Sequence, residues 1–233
     1  QPAILTTSVA IYRLLAEKGI TPDIVAGLSL GEYSALVAAG ALSFEEAVAL
    51  VSKRGEFMET AAPAGSGKMV AVMNTDPALI EEICQKASVK GVVTPANYNT
   101  PAQIVIGGEV EAVDYAVELL QEAGAKRLIP LNVSGPFHTA LLASASEKLA
   151  TELEKVTFKD FSLPLVGNTE AQIMKSDEIK TLLACQVMEH VRFFDSIATI
   201  LEFGVDEVIE IGPGKVLTGF LINIDKTLPT KNV

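Results

Sequence analysis

A serine lies between two glycines where an apolar run meets a helix-forming run, and this arrangement strongly constrains the fold. The apolar run at residues 24–26 leads into Gly-Leu-Ser-Leu-Gly at 27–31, and an alanine-rich, helix-forming run follows directly. A buried strand followed at once by a helix is the repeating unit of parallel α/β sheets. The pattern therefore predicts an α/β fold with a mostly parallel sheet and the serine at a strand-to-helix turn.

Composition agrees with this fold class and disfavours several others. Hydrophobic residues make up 49% and aromatic residues only 6%, so Ala, Val, Ile and Leu must build the core. The net charge of −11 argues against a general nucleic-acid-binding surface. No apolar run is long enough to cross a bilayer and no signal-peptide pattern opens the sequence, so we expect a cytoplasmic protein without a membrane role. Two cysteines far apart and two histidines make a metal site unexpected.

Residues 66–133 differ in pattern from the flanking sequence. Their apolar periodicity predicts strand, helix, two strands, helix and strand, which is the β-α-β-β-α-β order of a ferredoxin-like unit. We therefore expect a small subdomain inserted into a core formed by residues 1–65 and 134–233. The alternative is that these elements join the main sheet.

The flanking residues alternate between strand and helix patterns. Residues 1–40 predict a helix, the strand and a second helix, and Ser43 with Glu46 forms a capping box that begins a third helix. Towards the C-terminus we expect a turn and helix, a strand at 161–168 and one helical stretch over 176–204. A strand, a Gly-Pro-Gly turn and a helix then follow.

The Gly-Leu-Ser-Leu-Gly segment also fits G-x-S-x-G, the nucleophile elbow of serine enzymes. In that turn the glycines allow the strand and the helix to approach closely, and the serine hydroxyl projects from the sheet. The N–H that follows the serine and the N-terminus of the helix then face a developing oxyanion. Ser29 is thus a candidate nucleophile, and the alternative is a purely structural turn.

A serine nucleophile needs a base, and the sequence offers two histidines. His138 lies in a predicted loop between an apolar run and a helix, where catalytic groups of α/β proteins gather. His190 lies among residues suited to a helix or its end, which is typical of a surface or capping residue. We therefore favour His138 as the base.

Arg54 lies on the predicted helix after the elbow helix. An arginine on a mainly apolar helix could direct its guanidinium at a carboxylate substrate. Equally, it could be an exposed charge paired with Glu56 or Glu59. The residues themselves leave both readings open.

Five segments together resemble the malonyl-CoA:acyl carrier protein transacylase family, in the right order and at fitting intervals over nearly the whole chain. They are GLSLGEYSALVAAGAL, KRGEFM, NYNTPAQIVIGG, GAKRLIPLNVSGPFHTALL and IEIGPGKVLTG. The resemblance implies an α/β-hydrolase-like core with an inserted ferredoxin-like subdomain. It also implies transfer of a malonyl group from malonyl-CoA to acyl carrier protein in fatty-acid biosynthesis, with no bound cofactor.

The resemblance also implies roles for individual residues. Ser29 matches the acylated nucleophile, His138 its base and Arg54 the ligand of the malonyl carboxylate. The main-chain carbonyl of Gln186 would orient the imidazole, so no carboxylate completes a triad, and the N–H of Leu30 would be one oxyanion donor.

Three further residues match pocket positions of the family. Met58 and Asn99 fall at positions that line the pocket. Phe137 precedes the histidine, where its ring would crowd a methyl branch on the substrate α-carbon; one methyl group is worth about 1–3 kcal/mol of discrimination.

Two departures from the family pattern stand out. Leu28 replaces the usual histidine before the serine, where we expect it to support the elbow. The sequence begins at Gln1, after the point where the family carries a strand and a loop with a second oxyanion donor. Losing one such donor costs about 10²–10³ in rate, so an inactive fragment that only binds carrier protein or CoA is one alternative.

Acyl carrier protein is acidic, so docking should need a local basic patch on this acidic chain. Lys126, Arg127 and Lys215 are the candidates for that patch. The rival activity is a serine hydrolase or thioesterase, which usually adds an acidic residue between serine and histidine in the chain. Asp114 is available for that role.

Overall fold

The computed structural model describes residues 1–133 and 135–233. The first part of the chain forms α1 (Pro2–Glu17), β1 (Val25–Ala26), α2 (Leu30–Ala38) and α3 (Phe44–Ala61). The predicted capping box begins α3, where the Ser43 hydroxyl accepts from the Glu46 N–H at 3.2 Å. The helix–strand–helix–helix order predicted from the sequence is confirmed.

The middle of the chain forms a sheet of its own. Its elements are β2 (Gly67–Met73), α4 (Pro77–Ala87), β3 (Val93–Thr100), β4 (Gln103–Glu109), α5 (Val110–Glu122) and β5 (Arg127–Pro130). The four strands pair antiparallel in the order β3-β4-β2-β5. The two helices pack on this sheet around a separate hydrophobic cluster, which includes Val70, Ile80, Ile106 and Leu120.

The last part of the chain forms the remaining helices and strands. They are α6 (Ala143–Leu153), β6 (Leu165–Val166), α7 (Ile179–Gln186), α8 (Phe193–Phe203), β7 (Val208–Glu210), α9 (Val216–Ile224) and β8 (Thr230–Asn232). β1 pairs parallel with β6, and β7 pairs parallel with β8, a strand that the sequence pattern did not predict. The mixed α/β class is confirmed, with parallel pairs outside the antiparallel sheet.

The helical stretch predicted over 176–204 is wrong in one respect, because residues 187–192 leave the helix between α7 and α8. The main chain in this break forms hydrogen bonds with β3 instead of continuing the helix. The Val191 N–H donates to the Ala96 carbonyl at 2.9 Å, and the Val191 carbonyl accepts from the Tyr98 N–H at 2.9 Å. α7 therefore ends at Gln186, whose carbonyl lies among the last four of the helix and needs a partner outside it.

Packing in the core brings the helices that flank the elbow together. α2, α3, α6 and α7 surround one large cluster, which includes Leu36, Leu50, Leu149, Leu165 and Leu183. α8 and α9 pack against β3 and so join the antiparallel sheet to the core. Within the described ranges, none of the helices has the length and apolar character needed to span a bilayer.

Candidate active site

The turn between β1 and α2 has the geometry of a nucleophile elbow. Ser29 adopts φ 53° and ψ −103°, a conformation that non-glycine residues rarely hold. A Cβ at Gly27 would lie 2.0 Å from the Gly31 carbonyl carbon, so only glycine fits there. A Cβ at Gly31 would meet none of the described atoms within 4 Å outside its own helix, so the close-approach argument is right for Gly27 and wrong for Gly31.

Two neighbours of Ser29 take up the expected positions around this turn. Leu28 packs into the cluster formed by Val166, Val191 and Phe193, as expected for a residue that supports the elbow. Leu30 is the first residue of α2, so its N–H is one of the four that find no acceptor within the helix.

His138 contacts the candidate nucleophile directly. Its Nε2 lies 2.8 Å from Ser29 Oγ, and its Nδ1 lies 2.8 Å from the Gln186 carbonyl oxygen. Because a carbonyl only accepts, Nδ1 carries the proton and Nε2 accepts from the Ser29 hydroxyl. The break after α7 thus leaves a carbonyl that orients the imidazole.

The environment keeps His138 neutral. Burial, and then the positive charge of Arg54, lowers the pKa of His138 to about 4, although hydrogen bonds with the main chain of Gln186 and Glu189 act in the opposite direction. At neutral pH the imidazole is therefore unprotonated at Nε2 and able to take a proton.

Arg54 lies inside the site, so its reading as an exposed helix charge is wrong. Only 2% of the residue is exposed, and its guanidinium lies 5.4 Å from the centre of the Tyr33 ring. One terminal nitrogen donates to Ser29 Oγ and to Gln186 Oε1, both at 3.0 Å, and the other donates to Gln1 Oε1 at 2.8 Å.

The Arg54 guanidinium is a buried cation without a direct counter-ion. No carboxylate forms an ion pair with it in the described part of the chain, and its Nε has no hydrogen-bond partner there. A buried charge is costly unless it is paired. The position therefore suits an anionic group of a ligand next to Ser29.

Sequence reasoning missed two residues that hold the elbow. Asn168, just after β6, accepts from the Ser29 N–H through Oδ1 at 2.6 Å and donates through Nδ2 to the Gly27 carbonyl at 2.6 Å. Glu32, in the first turn of α2, is 1% exposed and bonds Gln186 and Asn168. An acidic residue in a first helical turn is usually exposed, so the sequence carried no signal for the burial of Glu32.

The comparison with known proteins fits this geometry. The family profile described as acyl transferase domain matches residues 1–230. The chain belongs to this acyl transferase family.

This chain covers most of the length of each of the following relatives. The malonyl CoA-acyl carrier protein transacylase of Bacillus subtilis (strain 168) is 49% identical over 99% of this chain and 73% of that protein. The crystal structure of MCAT from Streptococcus pneumoniae is 70% identical with a TM-score of 0.98, covering 100% of this chain and 76% of that one. A type II PKS acyl-carrier protein in complex with its malonyl-transacylase gives 43% identity and a TM-score of 0.96, with coverages of 100% and 76%.

The other pocket residues suggested by the resemblance to this acyl transferase family have different surroundings, and none of them is hydrogen-bonded to the Ser29–His138 pair, which we call the dyad. Met58 is buried one helical turn beyond Arg54, and its sulfur lies 3.6 Å from the Gln1 amide nitrogen. Phe137 is half-buried and packs against two hydrophobic clusters beside His138. Asn99 is buried in β3, donates to Gln103 Oε1 at 2.9 Å and makes no hydrogen bond to the dyad.

The positions of His190 and Asp114 decide the two alternatives that the sequence left for the acid–base residues of this family member. His190 is exposed and meets the Tyr98 ring edge-on with centroids 5.4 Å apart, which confirms it as a surface residue. Asp114, on α5, forms an ion pair with Lys68 of β2 at 2.5 Å. The Nδ1 proton of His138 is instead hydrogen-bonded to the Gln186 carbonyl. The hydrolase-type triad through Asp114 is therefore wrong.

The three basic docking candidates are all exposed. Lys126 and Arg127 are consecutive at the start of β5, an edge strand of the antiparallel sheet, and Lys215 immediately precedes α9. Among the described residues, no group of three or more His, Cys, Asp or Glu side chains could hold a metal ion.

Proposed function

We propose that this acyltransferase moves a malonyl group from malonyl-CoA to the phosphopantetheine thiol of acyl carrier protein, through a malonyl ester of Ser29. The observation that carries the proposal is the Ser29–His138 pair beside a buried Arg54 that has no carboxylate partner of its own. The name of the Bacillus subtilis relative and the carrier-protein complex of the structural neighbour support the same substrates.

In the first half-reaction Ser29 is acylated. His138 Nε2 takes the hydroxyl proton as Oγ attacks the thioester carbonyl carbon, and the N–H of Leu30 faces the resulting oxyanion. The carbon–sulfur bond then breaks, and the imidazolium returns the proton to the sulfur of the departing CoA. Oxyanion donors of this kind are worth about 10²–10³ in rate.

In the second half-reaction the carrier thiol takes the malonyl group. Its proton passes to His138 Nε2 while the sulfur attacks the ester carbonyl, and the Ser29 oxygen leaves with that proton. The Gln186 carbonyl, 2.8 Å from His138 Nδ1, accepts a hydrogen bond from the Nδ1 proton. This hydrogen bond stabilises the imidazolium in both half-reactions. The cycle needs no cofactor, because it exchanges one thioester for another through a serine ester, with no change in oxidation state.

The substrate carboxylate is held by Arg54. Its guanidinium donates to Ser29 Oγ at 3.0 Å, so an acyl group on that oxygen lies within reach of the same fork. Phe137, next to His138 in the chain, restricts the α-carbon, and Met58 lines the pocket behind Arg54. Asn99 lines the pocket from β3, where its Oδ1 has no hydrogen-bond partner among the described residues.

We also propose that the chain is divided into two structural parts. Residues 1–65 and 134–233 form an α/β-hydrolase-like core, and residues 66–133 form a ferredoxin-like subdomain; Ser134, at the boundary, lies outside the described residues. The separate antiparallel sheet with its own hydrophobic cluster supports this division. A cytoplasmic setting is supported by the free thiols of Cys84 and Cys185.

Intact mass spectrometry after mixing the chain with malonyl-CoA tests the function. We expect one malonyl adduct, located on Ser29 by peptide mapping, that is lost on addition of phosphopantetheinylated carrier protein. Loss of the adduct to water at the same rate without carrier would favour a hydrolase. A folded chain without any adduct would favour the alternative that it only binds carrier protein or CoA.

The docking surface gives a second test. Reversing Lys126 and Arg127 to glutamate should raise the KM for acyl carrier protein about tenfold and leave the KM for malonyl-CoA unchanged, because opposed charges weaken encounter with an acidic partner. Steady-state kinetics with each substrate varied measures both constants. The matched control reverses the exposed Lys175 and the partly exposed Lys180. Equal rises in the KM for both substrates would contradict the docking role.

A further inference from the structure

The carboxyl group of Glu32 is buried and bonded on both oxygens. The residue is 1% exposed, and Oε1 accepts from the Asn168 N–H at 3.1 Å while Oε2 accepts from Gln186 Nε2. Both partners are donors, so the arrangement suits an ionised carboxylate rather than an acid with an O–H to place. An ionisable group kept in such a position at the cost of burial calls for an explanation.

The two partners of Glu32 hold the main chain of the nucleophile from both sides. Gln186 Nε2 also donates to the Ser29 carbonyl at 2.9 Å, and Asn168 Oδ1 accepts from the Ser29 N–H at 2.6 Å. Ser29 is held at φ 53°, a conformation that persists only where surrounding contacts enforce it. Glu32 therefore supports both contacts that hold the elbow.

The same carboxylate determines which way the Gln186 amide points. Because Nε2 donates to Glu32, Oε1 must face Arg54, where it accepts from the guanidinium at 3.0 Å. A flipped amide would place an NH₂ group against the guanidinium. Gln186 also carries the carbonyl that orients His138, so one side chain and its main chain connect all three functional groups.

We propose that Glu32 is a positioning residue: its carboxylate anchors Gln186 and Asn168, and through them it holds Ser29, His138 and Arg54 in the arrangement that allows acylation. This inference rests on the proposed function for its reaction, and on the hydrogen-bond network for its geometry. Protonation of the carboxylate would replace an acceptor with a donor and disconnect one of the two anchors.

The charges around Glu32 give this role a pH dependence. Arg54 of α3 is the cation that acts on it, Tyr33 follows it on α2, and its partners Gln186 and Asn168 are neutral. Burial raises the pKa of Glu32 to about 7, against the effects of its hydrogen bonds and of Arg54, whereas the pKa of His138 is lowered to about 4. The acylation rate should therefore fall as the pH drops through about 7, well above the range in which His138 titrates.

Single-turnover acylation of Ser29, followed by intact mass between about pH 5 and pH 9, tests the proposal. In the wild-type chain we expect the rate constant to fall through about pH 7. Glu32→Gln should be about 10- to 100-fold slower at pH 8, within the range for mispositioned catalytic groups, and should show no fall at pH 7. Glu32→Asp, which keeps an ionisable acceptor on a shorter side chain, should be slower and should retain a fall with acid, at a pH different from that of the wild-type chain.

Glu109→Gln is the matched control. Glu109 accepts from the Val92 N–H at 2.7 Å in the antiparallel sheet, outside the site, and its variant should keep the wild-type rate and profile. Thermal melts of all variants separate a loss of fold from a loss of positioning. If Glu32→Gln does not fold, the position of the acid limb in Glu32→Asp decides, and a limb unchanged from that of Glu109→Gln contradicts the proposal.

A second reagent separates failure of this inference from failure of the proposed function. Phenylmethylsulfonyl fluoride reports the reactivity of Ser29 without any carboxylate or CoA. A Glu32-dependent fall near pH 7 with this reagent, but no reaction with malonyl-CoA, would overturn the function and keep the positioning role. A Glu32→Gln chain that matches wild type with both reagents would overturn the positioning role. A wild-type chain that neither reagent modifies would overturn both the positioning role and the proposed function.

Discussion

Replacing Ser29 with alanine is expected to abolish the acyl-enzyme and lower malonyl transfer by on the order of 10⁶-fold, as for nucleophiles of other serine enzymes. His138→Ala should have nearly the same effect, because Oγ at 2.8 Å from Nε2 has no other base within hydrogen-bond reach among the described residues. Transfer to carrier protein, measured under saturating malonyl-CoA, gives the ratio of kcat values.

The Ser29→Ala, His138→Ala double variant distinguishes a functional pair from two independent contributions. Groups that act as a unit are non-additive, so the double variant should be no slower than either single one. His190→Ala is the control, since that imidazole is exposed and packs on Tyr98. Multiplicative losses in the double variant, or a large loss in the control, would contradict the dyad.

Replacing Arg54 with methionine should raise the KM for malonyl-CoA by about 10²–10³ and remove the preference for malonyl-CoA over acetyl-CoA. Truncating one partner of a buried charge pair typically costs about 2–5 kcal/mol, and Arg54 is the buried cation within 3.0 Å of Ser29 Oγ. Methionine keeps much of the volume over the Tyr33 ring, whereas Arg54→Ala adds the cost of a cavity. Competition kinetics with both thioesters measures the change in selectivity.

Arg13→Met is the matched control for the Arg54 variant. Arg13 also lies over an aromatic ring, 5.3 Å from the centre of Phe44, but it is outside the site. Its variant should retain malonyl selectivity. An Arg54→Met chain that lost activity with malonyl-CoA and acetyl-CoA to the same extent would show that Arg54 supports the fold of the site and does not recognise the carboxylate.

The local features of this protein were readable from its sequence. The elbow at residues 27–31 follows from an apolar run, glycine spacing and a helix-forming run, and the structure places Ser29 at the predicted strand-to-helix turn. The elements of residues 66–133 were predicted in the right order because strand and helix periodicities alternate cleanly there. With two histidines in the chain, the base could be chosen by its position in a loop after a strand.

Long-range contacts decided the rest. The burial of Arg54 resolved a choice that the residues left open, and the break after α7 arose from hydrogen bonds of Val191 with β3. Asn168 and Glu32 gave no signal in the sequence, because Asn168 reaches Ser29 across 139 residues and Glu32 reaches Gln186 across 154.

The sequence by itself thus determined the order of most helices and strands, the elbow and the candidate nucleophile within it, since turn chemistry and apolar periodicity act over a few residues. Only the tertiary structure decided which polar side chains are buried together around that nucleophile. Burial, donor–acceptor pairing and pKa depend on neighbours that packing brings together from distant parts of the chain.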